Sequence, residues 1–353
     1  MRYLVYGTGA VGGLLGGRLA LAGLPVTFLA RPAVAEALRR GGLRLFGGAL
    51  PGHVAAPSVV EDLAQALRPP THPDVILLAV KAYDCEEAAV RLAAAGGELP
   101  TVVCLINGIG NEETLARRIG AGSVLSAALT TAVRAPAPGL VQVERERGLD
   151  FQAGHGRTAA LAADLARAGF RIRLHADPGR MKWSKLLTNL VANATSAILG
   201  WSPDSVFAHP GLYRLEVEAL REAVRVMAAL GFSPQALVGV PVPVLAWSLR
   251  LPAAVSRPFL RRAVASGRGQ KRPSLSYDIG RGRSEVGWLN GAVVRQAQAL
   301  GLPAPANAVL TETLTSLVNV EISPEALRGQ PARLLEQAAR AGVPGIQGYN
   351  PPA

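Results

Sequence analysis

The strongest constraint on the fold of this chain is the spacing Gly7-x-Gly9-x-x-Gly12, set directly after a β-branched and aromatic run, Arg2 to Tyr6. A run of that kind suits a buried parallel strand. A glycine-rich helix is expected from Ala10 to Ala22, and a second apolar strand from Pro25 to Ala30 after a break at Gly23. Strand, glycines, helix and second strand in this order make a βαβ unit that holds a dinucleotide. In such a unit Gly7 allows the tight turn, Gly9 lets the backbone approach the pyrophosphate, and Gly12 lets helix and strand pack closely. The expected cradle is Gly7, Thr8, Gly9, Ala10, Val11 and Gly12, where N–H groups at the helix start favour the phosphate charge.

Proteins that bind NAD commonly place Asp or Glu at the end of the second strand, on the ribose 2′-hydroxyl. Here that place holds Arg31. A guanidinium attracts a 2′-phosphate through charge-assisted hydrogen bonds, which points to NADP(H). An arginine simply exposed in the loop is the other reading.

The chain has 353 residues, comfortable for two domains. With 49% apolar and only 18% charged residues it is globular. The net charge of +12, from 37 basic and 25 acidic residues, raises the question of a nucleic-acid partner. No basic run interleaved with aromatics, helix-turn-helix or zinc signature accompanies it, so no nucleic-acid partner is expected. Cys85 and Cys104 make no metal or disulfide framework, which fits a reducing cytoplasm. The apolar stretch Phe232 to Leu249 contains Pro234, Pro241 and Pro243, which would break a spanning helix. No integral membrane segment is expected, and peripheral contact stays open.

After Arg31, strands and helices alternate: Leu43 to Phe46, a helix near Val60 to Leu67, the strand Val75 to Val80, and a helix from Asp84 to Ala95. That order implies an α/β domain with a parallel sheet. Lys81 stands where the strand Val75 to Val80 ends, and Asn107 where Thr101 to Ile106 ends. Ligands sit outside the carboxyl ends of such strands, so both residues are placed to touch a cofactor. Solvent exposure for Lys81, and a turn cap before Gly108 for Asn107, are the plainer alternatives. Val124 to Val133 and a hairpin-like region, Gly139 to Ala153, are expected to finish the sheet, with Thr130 and Thr131 left without a role.

From Asp177-Pro178, a good N-cap and first-turn pair, the texture changes to helix after helix. The expected domains are therefore 1–176, a Rossmann-type dinucleotide-binding domain, and 177–353, an all-helical substrate domain. Lys185, Asn189 and Asn193 recur at i, i+4 and i+8. Four residues rotate a helix by about 400°, so the three share one face of this helix, which lines either a cleft or solvent. Further helices are expected at about Gly211 to Leu230, Ser284 to Leu300, Asn307 to Val318 and Pro324 to Ala341. Pro234 to Arg272, rich in Pro, Val and Arg, takes no assigned structure.

Taken together these segments resemble the ketopantoate reductase family (2-dehydropantoate 2-reductases), from Met1 to about Val318. The carriers are the glycine loop with Arg31, VKAYD at Lys81, INGIGNEE at Asn107, the WSKLLTNLVANATSAI helix and SLSYDIGRGRSEVGWLNG from Ser274. The resemblance implies NADPH-dependent reduction of a branched 2-oxo acid on the route to pantothenate and coenzyme A. It implies Lys185 as the general acid at the substrate oxygen and Glu285 as the partner of the substrate hydroxyl. Asn107 would position nicotinamide and substrate, Asn189, Asn193 and Ser274 would orient the substrate, and Arg31 and Lys81 would lie near the adenosine phosphate. The chemistry asks for a cation of this kind, because hydride reaching a carbonyl carbon leaves negative charge on oxygen. A lysine with an ordinary pKa of about 10.4 is protonated at neutral pH.

The chain departs from the family's pattern where relatives read close to TEID, since Ser284-Glu285-Val286-Gly287 stands here. It is also one residue shorter between Asp278 and Glu285, which leaves the registration of Ser274 open, and the segment before Ser274 is longer. A reductase of a different, bulkier oxo acid is therefore the alternative, and a non-catalytic NADP-binding regulator a third. A helical second domain could supply a homodimer interface.

Overall fold

Tyr3–Tyr6 is buried along its whole length and pairs in parallel with Val26–Leu29 on one side and Val75–Leu78 on the other. This computed structural model describes residues 1–69, 72–96, 99–268 and 273–346. Tyr3–Tyr6 lies inside an eight-stranded sheet. On one side Val26–Leu29 is followed by Ser58–Val60; on the other Val75–Leu78 is followed by Thr101–Cys104, Val124–Leu129, Leu149–Gln152 and Ile172–His175. All neighbours run parallel except Leu149–Gln152 against Val124–Leu129. The first six strands thus follow the doubly wound order 3-2-1-4-5-6, whose ligand crevice opens at the carboxyl end of the first strand.

A second, four-stranded sheet joins Gly52–Val54, Leu43–Phe46, Leu140–Arg145 and Ala132–Ala137. Leu43–Phe46 therefore does not belong to the main sheet. Of the expected Gly139 to Ala153 hairpin, only Leu149–Gln152 joins it. Leu43–Phe46 alternates buried and exposed residues, as a sheet covered on one face requires. Its Leu43 and Leu45 pack with Leu14, Val141 and Phe28 into the core. Ser58–Val60 is a strand, so the helix expected near Val60 begins only at Leu63. The helix Pro32–Gly41 was not anticipated, although it carries proline at its start and buries Ala35 and Leu38 three residues apart.

The chain divides into two compact units, Met1–Lys182 with Leu237–Val240, and Trp183–Ala236 with Pro241–Ala353. Asp177 does start the helix Pro178–Leu190, its Oδ1 accepting from the Arg180 N–H at 2.9 Å, but the division falls after Lys182. Leu237–Val240 belongs to the first unit because Asp150, fully buried, accepts the Val238 N–H at 3.1 Å and pairs with His175 Nε2 at 2.7 Å.

The second unit is helical. Pro210–Ala229 and Pro305–Val318 pack against each other. Buried Glu222 joins them by accepting the N–H groups of Ala306 and Asn307 at 2.8 and 2.9 Å. The unassigned stretch holds the helices Val242–Ser248 and Ala253–Arg268, with residues 269–272 outside the described ones. Glu285–Trp288 is a separate 3-10 turn before the helix Asn290–Ala299. The expected Pro324 to Ala341 helix is a 3-10 turn, Pro324–Ala326, followed by the helix Pro331–Arg340.

Candidate active site

In the first unit the glycines do what their spacing demands. Gly7 has φ +104°, and a Cβ there would stand 2.7 Å from the Ala79 carbonyl carbon. At Gly12 a Cβ would run into the Gly7 carbonyl oxygen and stand 2.8 Å from Val5 Cγ1. Gly9 differs: it is the N-cap of the helix Ala10–Leu21, and a Cβ there would meet nothing within 4 Å. It therefore presents bare backbone to open space, next to Ala10 and Val11, whose N–H groups precede the first helical bond, Gly13 N–H to Gly9 O at 2.8 Å. Thr8 Oγ1 donates to the Leu29 carbonyl at 3.0 Å and ties the loop to the end of the second strand. These residues fit a pyrophosphate.

Two residues past that strand, the Arg31 side chain is 81% exposed and its Nη2 donates to Asp84 Oδ2 at 3.1 Å. Lys81, also exposed, begins the turn Ala82–Asp84, with the Asp84 N–H bonded to the Lys81 carbonyl at 2.9 Å. Arg31 and the Lys81 segment are thus brought to one place from distant parts of the sequence. An exposed ion pair of this kind contributes about 0–1 kcal/mol, so a phosphate can take over the guanidinium at little cost.

Asn107 follows the strand Thr101–Cys104 and sits half-buried in a loop with Gly108 at φ +93° and Gly110 at φ +101°. Its carbonyl accepts the Asn111 side-chain amide at 3.1 Å. Sequence reasoning missed the residue that holds this loop. Buried Lys182 donates to the Ile106 carbonyl at 2.7 Å and pairs with Glu112 at 2.8 Å. Burial pushes its pKa down, and Glu112, with Cys104 and Glu113, together outweigh that and hold it above the ordinary value. A single lysine in a helix gives no local sign of partners so far away in sequence. Thr130 and Thr131 are buried and bonded to the Gly148 carbonyl and the Arg147 N–H. Cys85 and Cys104 are buried thiols, and burial pushes Cys85 up to about 12, so neither is a nucleophile.

In the second unit Lys185 and Asn189 are half-buried on one face of Pro178–Leu190, but Asn193 is not on that helix. The continuous stripe expected from the spacing is broken at Ala192, which adopts φ +50°. Glu216 accounts for the break. It is buried, its Oε2 accepts the Ala192 N–H at 2.7 Å, and its Oε1 accepts the Thr195 hydroxyl at 2.5 Å. A left-handed non-glycine residue is strained, and the carboxylate holds it there while starting a new helix, Asn193–Leu199.

The break turns Asn193 toward a distant segment. Its side-chain amide donates to Ser274 Oγ at 3.3 Å, and its Oδ1 lies 3.4 Å from the Leu275 N–H. Ser274, whose registration the shortened loop left open, is thereby joined to the asparagine helix. Glu285 is buried, its N–H directed at Asp278 Oδ2 at 3.4 Å, and Ser284 Oγ donates to the same carboxylate oxygen at 3.0 Å. The helix Asn193–Leu199 and the turn Glu285–Trp288 both pack on Pro305–Val318. At Gly287 a Cβ would meet nothing within 4 Å.

The family described as "Ketopantoate reductase PanE/ApbA" matches residues 3–156, and its C-terminal counterpart matches residues 179–318. A 2-dehydropantoate 2-reductase of Halobacterium salinarum is 30% identical over 332 residues, 91% of this chain and 98% of that protein. Among solved structures, a PanE/ApbA family ketopantoate reductase from Ralstonia eutropha is 29% identical with a TM-score of 0.76, covering 91% of this chain and 99% of its own. A D-mandelate dehydrogenase solved with NADH and anilino(oxo)acetate shares the fold at 20% identity and a TM-score of 0.75, over 91% of this chain and 99% of its own. The chain belongs to the ketopantoate reductase family and is a dinucleotide-binding oxidoreductase of that type.

Proposed function

We propose that the protein reduces 2-dehydropantoate to pantoate with NADPH, a cytoplasmic step toward pantothenate and coenzyme A. The observation that carries this reading is the bond between Asn193 and Ser274, 81 residues apart. It joins the two segments that family resemblance assigns to the substrate. Arg31, standing where NAD-dependent proteins keep an acidic residue, supports the phosphorylated cofactor.

When bound in the glycine cradle, the cofactor supplies the hydride. Lys185 is the general acid, stabilising the negative charge that develops on the substrate oxygen and protonating it. Glu285 accepts the substrate hydroxyl, and Asn189 and Asn193 orient the substrate, with Ser274 at its carboxylate. Asn107 positions nicotinamide and substrate, while Arg31 and Lys81 hold the adenosine phosphate. Lys185→Ala should lower kcat by roughly a hundredfold or more with cofactor affinity retained. An unchanged kcat would remove Lys185 from the chemistry.

The room at Gly287 favours a second reading, a bulkier 2-oxo acid as the substrate. A panel of oxo acids of graded size separates the two by the order of kcat/KM.

A further inference from the structure

Between Pro234 and Arg272 the sequence contains no Asp or Glu, against Arg250, Arg257, Arg261, Arg262 and Arg268 in its described part. The two helices there adjoin each other and already have satisfied inner faces, Val242 and Ser248 on one, Ser256, Leu260 and Val264 on the other. Their outer faces nevertheless carry large apolar side chains. Trp247 is 58% exposed and lies one turn after exposed Val244; Phe259 is 50% exposed and lies one turn after exposed Val255. Exposed Arg262 continues the Val255–Phe259 face. Beside them is a cleft of about 350 Å³ lined by Pro210, Tyr213, Arg214, Arg257, Pro258 and Arg261. Arg261 pairs with Asp204 at 2.9 Å, and Arg257 donates to the Phe207 and Ala208 carbonyls.

Exposed apolar side chains that the fold does not use, set among arginines, mark an interaction surface. Its charge selects the partner. The whole chain carries +12, so a second copy would set the same cationic face against itself. A nucleic acid would satisfy the arginines but gives the aliphatic Val244 and Val255 nothing to enter. An anionic bilayer satisfies both: lipid phosphates meet the guanidinium groups, and Trp, Phe and Val enter the boundary between headgroups and acyl chains. No helix among the described residues is long and apolar enough to cross a membrane, which makes the contact one of lying on the surface.

We propose that the helices Val242–Ser248 and Ala253–Arg268, with the arginine-lined cleft beside them, dock the protein on an anionic phospholipid bilayer. The test is co-sedimentation of the full chain with vesicles of phosphatidylcholine alone or mixed with phosphatidylglycerol. Binding is expected only to the mixed vesicles, weakening as salt is raised, with a blue shift of tryptophan emission that disappears in Trp247→Phe. The double variant Trp247→Ser, Phe259→Ser should partition at least about tenfold less, and Arg214→Glu with Arg262→Glu likewise. All four side chains are exposed, and an unchanged melting temperature checks that the variants fold. Four results would each overturn the proposal. They are no binding to the mixed vesicles, undiminished binding of the double serine variant, a dimer in light scattering that this variant breaks, or binding to duplex DNA in preference to vesicles.

Discussion

The Lys182 ammonium stands 2.7 Å from the carbonyl oxygen of Ile106, the residue immediately before Asn107, and 2.8 Å from the Glu112 carboxylate. It grips both ends of the loop that carries Asn107 and, under the proposed function, positions that residue. Removing one partner of a buried ion pair costs about 3–5 kcal/mol. Lys182→Met should lower the melting temperature and raise the cofactor KM, and adding Glu112→Leu should restore part of the stability but not the KM. The folded pKa is raised, so this stabilisation is full below the ordinary lysine range of about 10.4. It is lost only as pH rises through the folded value. Thermal melts of the unsubstituted protein beside the two variants across alkaline pH check this: its advantage over Lys182→Met should shrink only at the alkaline end.

Gly9 and Gly12 should separate binding from folding. Gly9 has φ −84°, which alanine adopts freely, and space beyond it. Gly9→Ala should leave the melting temperature unchanged and weaken NADPH binding by tenfold or more, about 1.4 kcal/mol. Gly12→Ala collides with the Gly7 carbonyl and Val5, an overpacking that costs about 1–3 kcal/mol. Calorimetric titration beside thermal melts would distinguish the two.

Under the proposed function, Arg31 bears on the cofactor alone. Arg31→Asp should raise the NADPH KM much more than the NADH KM, since only the former presents a 2′-phosphate to the guanidinium. Equal effects on the two would take Arg31 out of the phosphate site.

Glu222 predicts a pH dependence in the helical unit. Burial pushes its carboxyl up from 4.5 to about 7, against the lowering effect of the Asn307 and Ala306 bonds. A raised folded pKa means that the folded state holds the proton more tightly than the unfolded one. Its contribution is therefore full below the ordinary value and lost as pH rises through about 7, about 3 kcal/mol in all. Glu222→Gln should flatten that part of the stability profile, read from melting temperatures between about pH 5 and about pH 8.

The cofactor half was legible because its signals are local. Gly7 is called for by its own positive φ and Gly12 by the nearby Gly7 carbonyl and Val5, while Gly9 leaves bare backbone at the helix start, and Lys81 and Asn107 were placed by the ends of uniformly apolar strands. What was missed depends on remote partners. Leu140–Arg145 pairs with Leu43–Phe46 across nearly a hundred intervening residues, and nothing near either strand announces the other. The break at Ala192 is made by Glu216, so the spacing of Lys185, Asn189 and Asn193 looked like one helix. The correspondence of Ser274 with the asparagine helix became visible only once that break aimed Asn193 at it.

The most direct test of the account is oxidation of NADPH by the purified protein with 2-dehydropantoate, with NADH and other 2-oxo acids run alongside. Turnover is expected to be fastest with 2-dehydropantoate, to prefer NADPH over NADH, and to fall roughly a hundredfold in Lys185→Ala. Tight NADPH binding without turnover of any 2-oxo acid would contradict it.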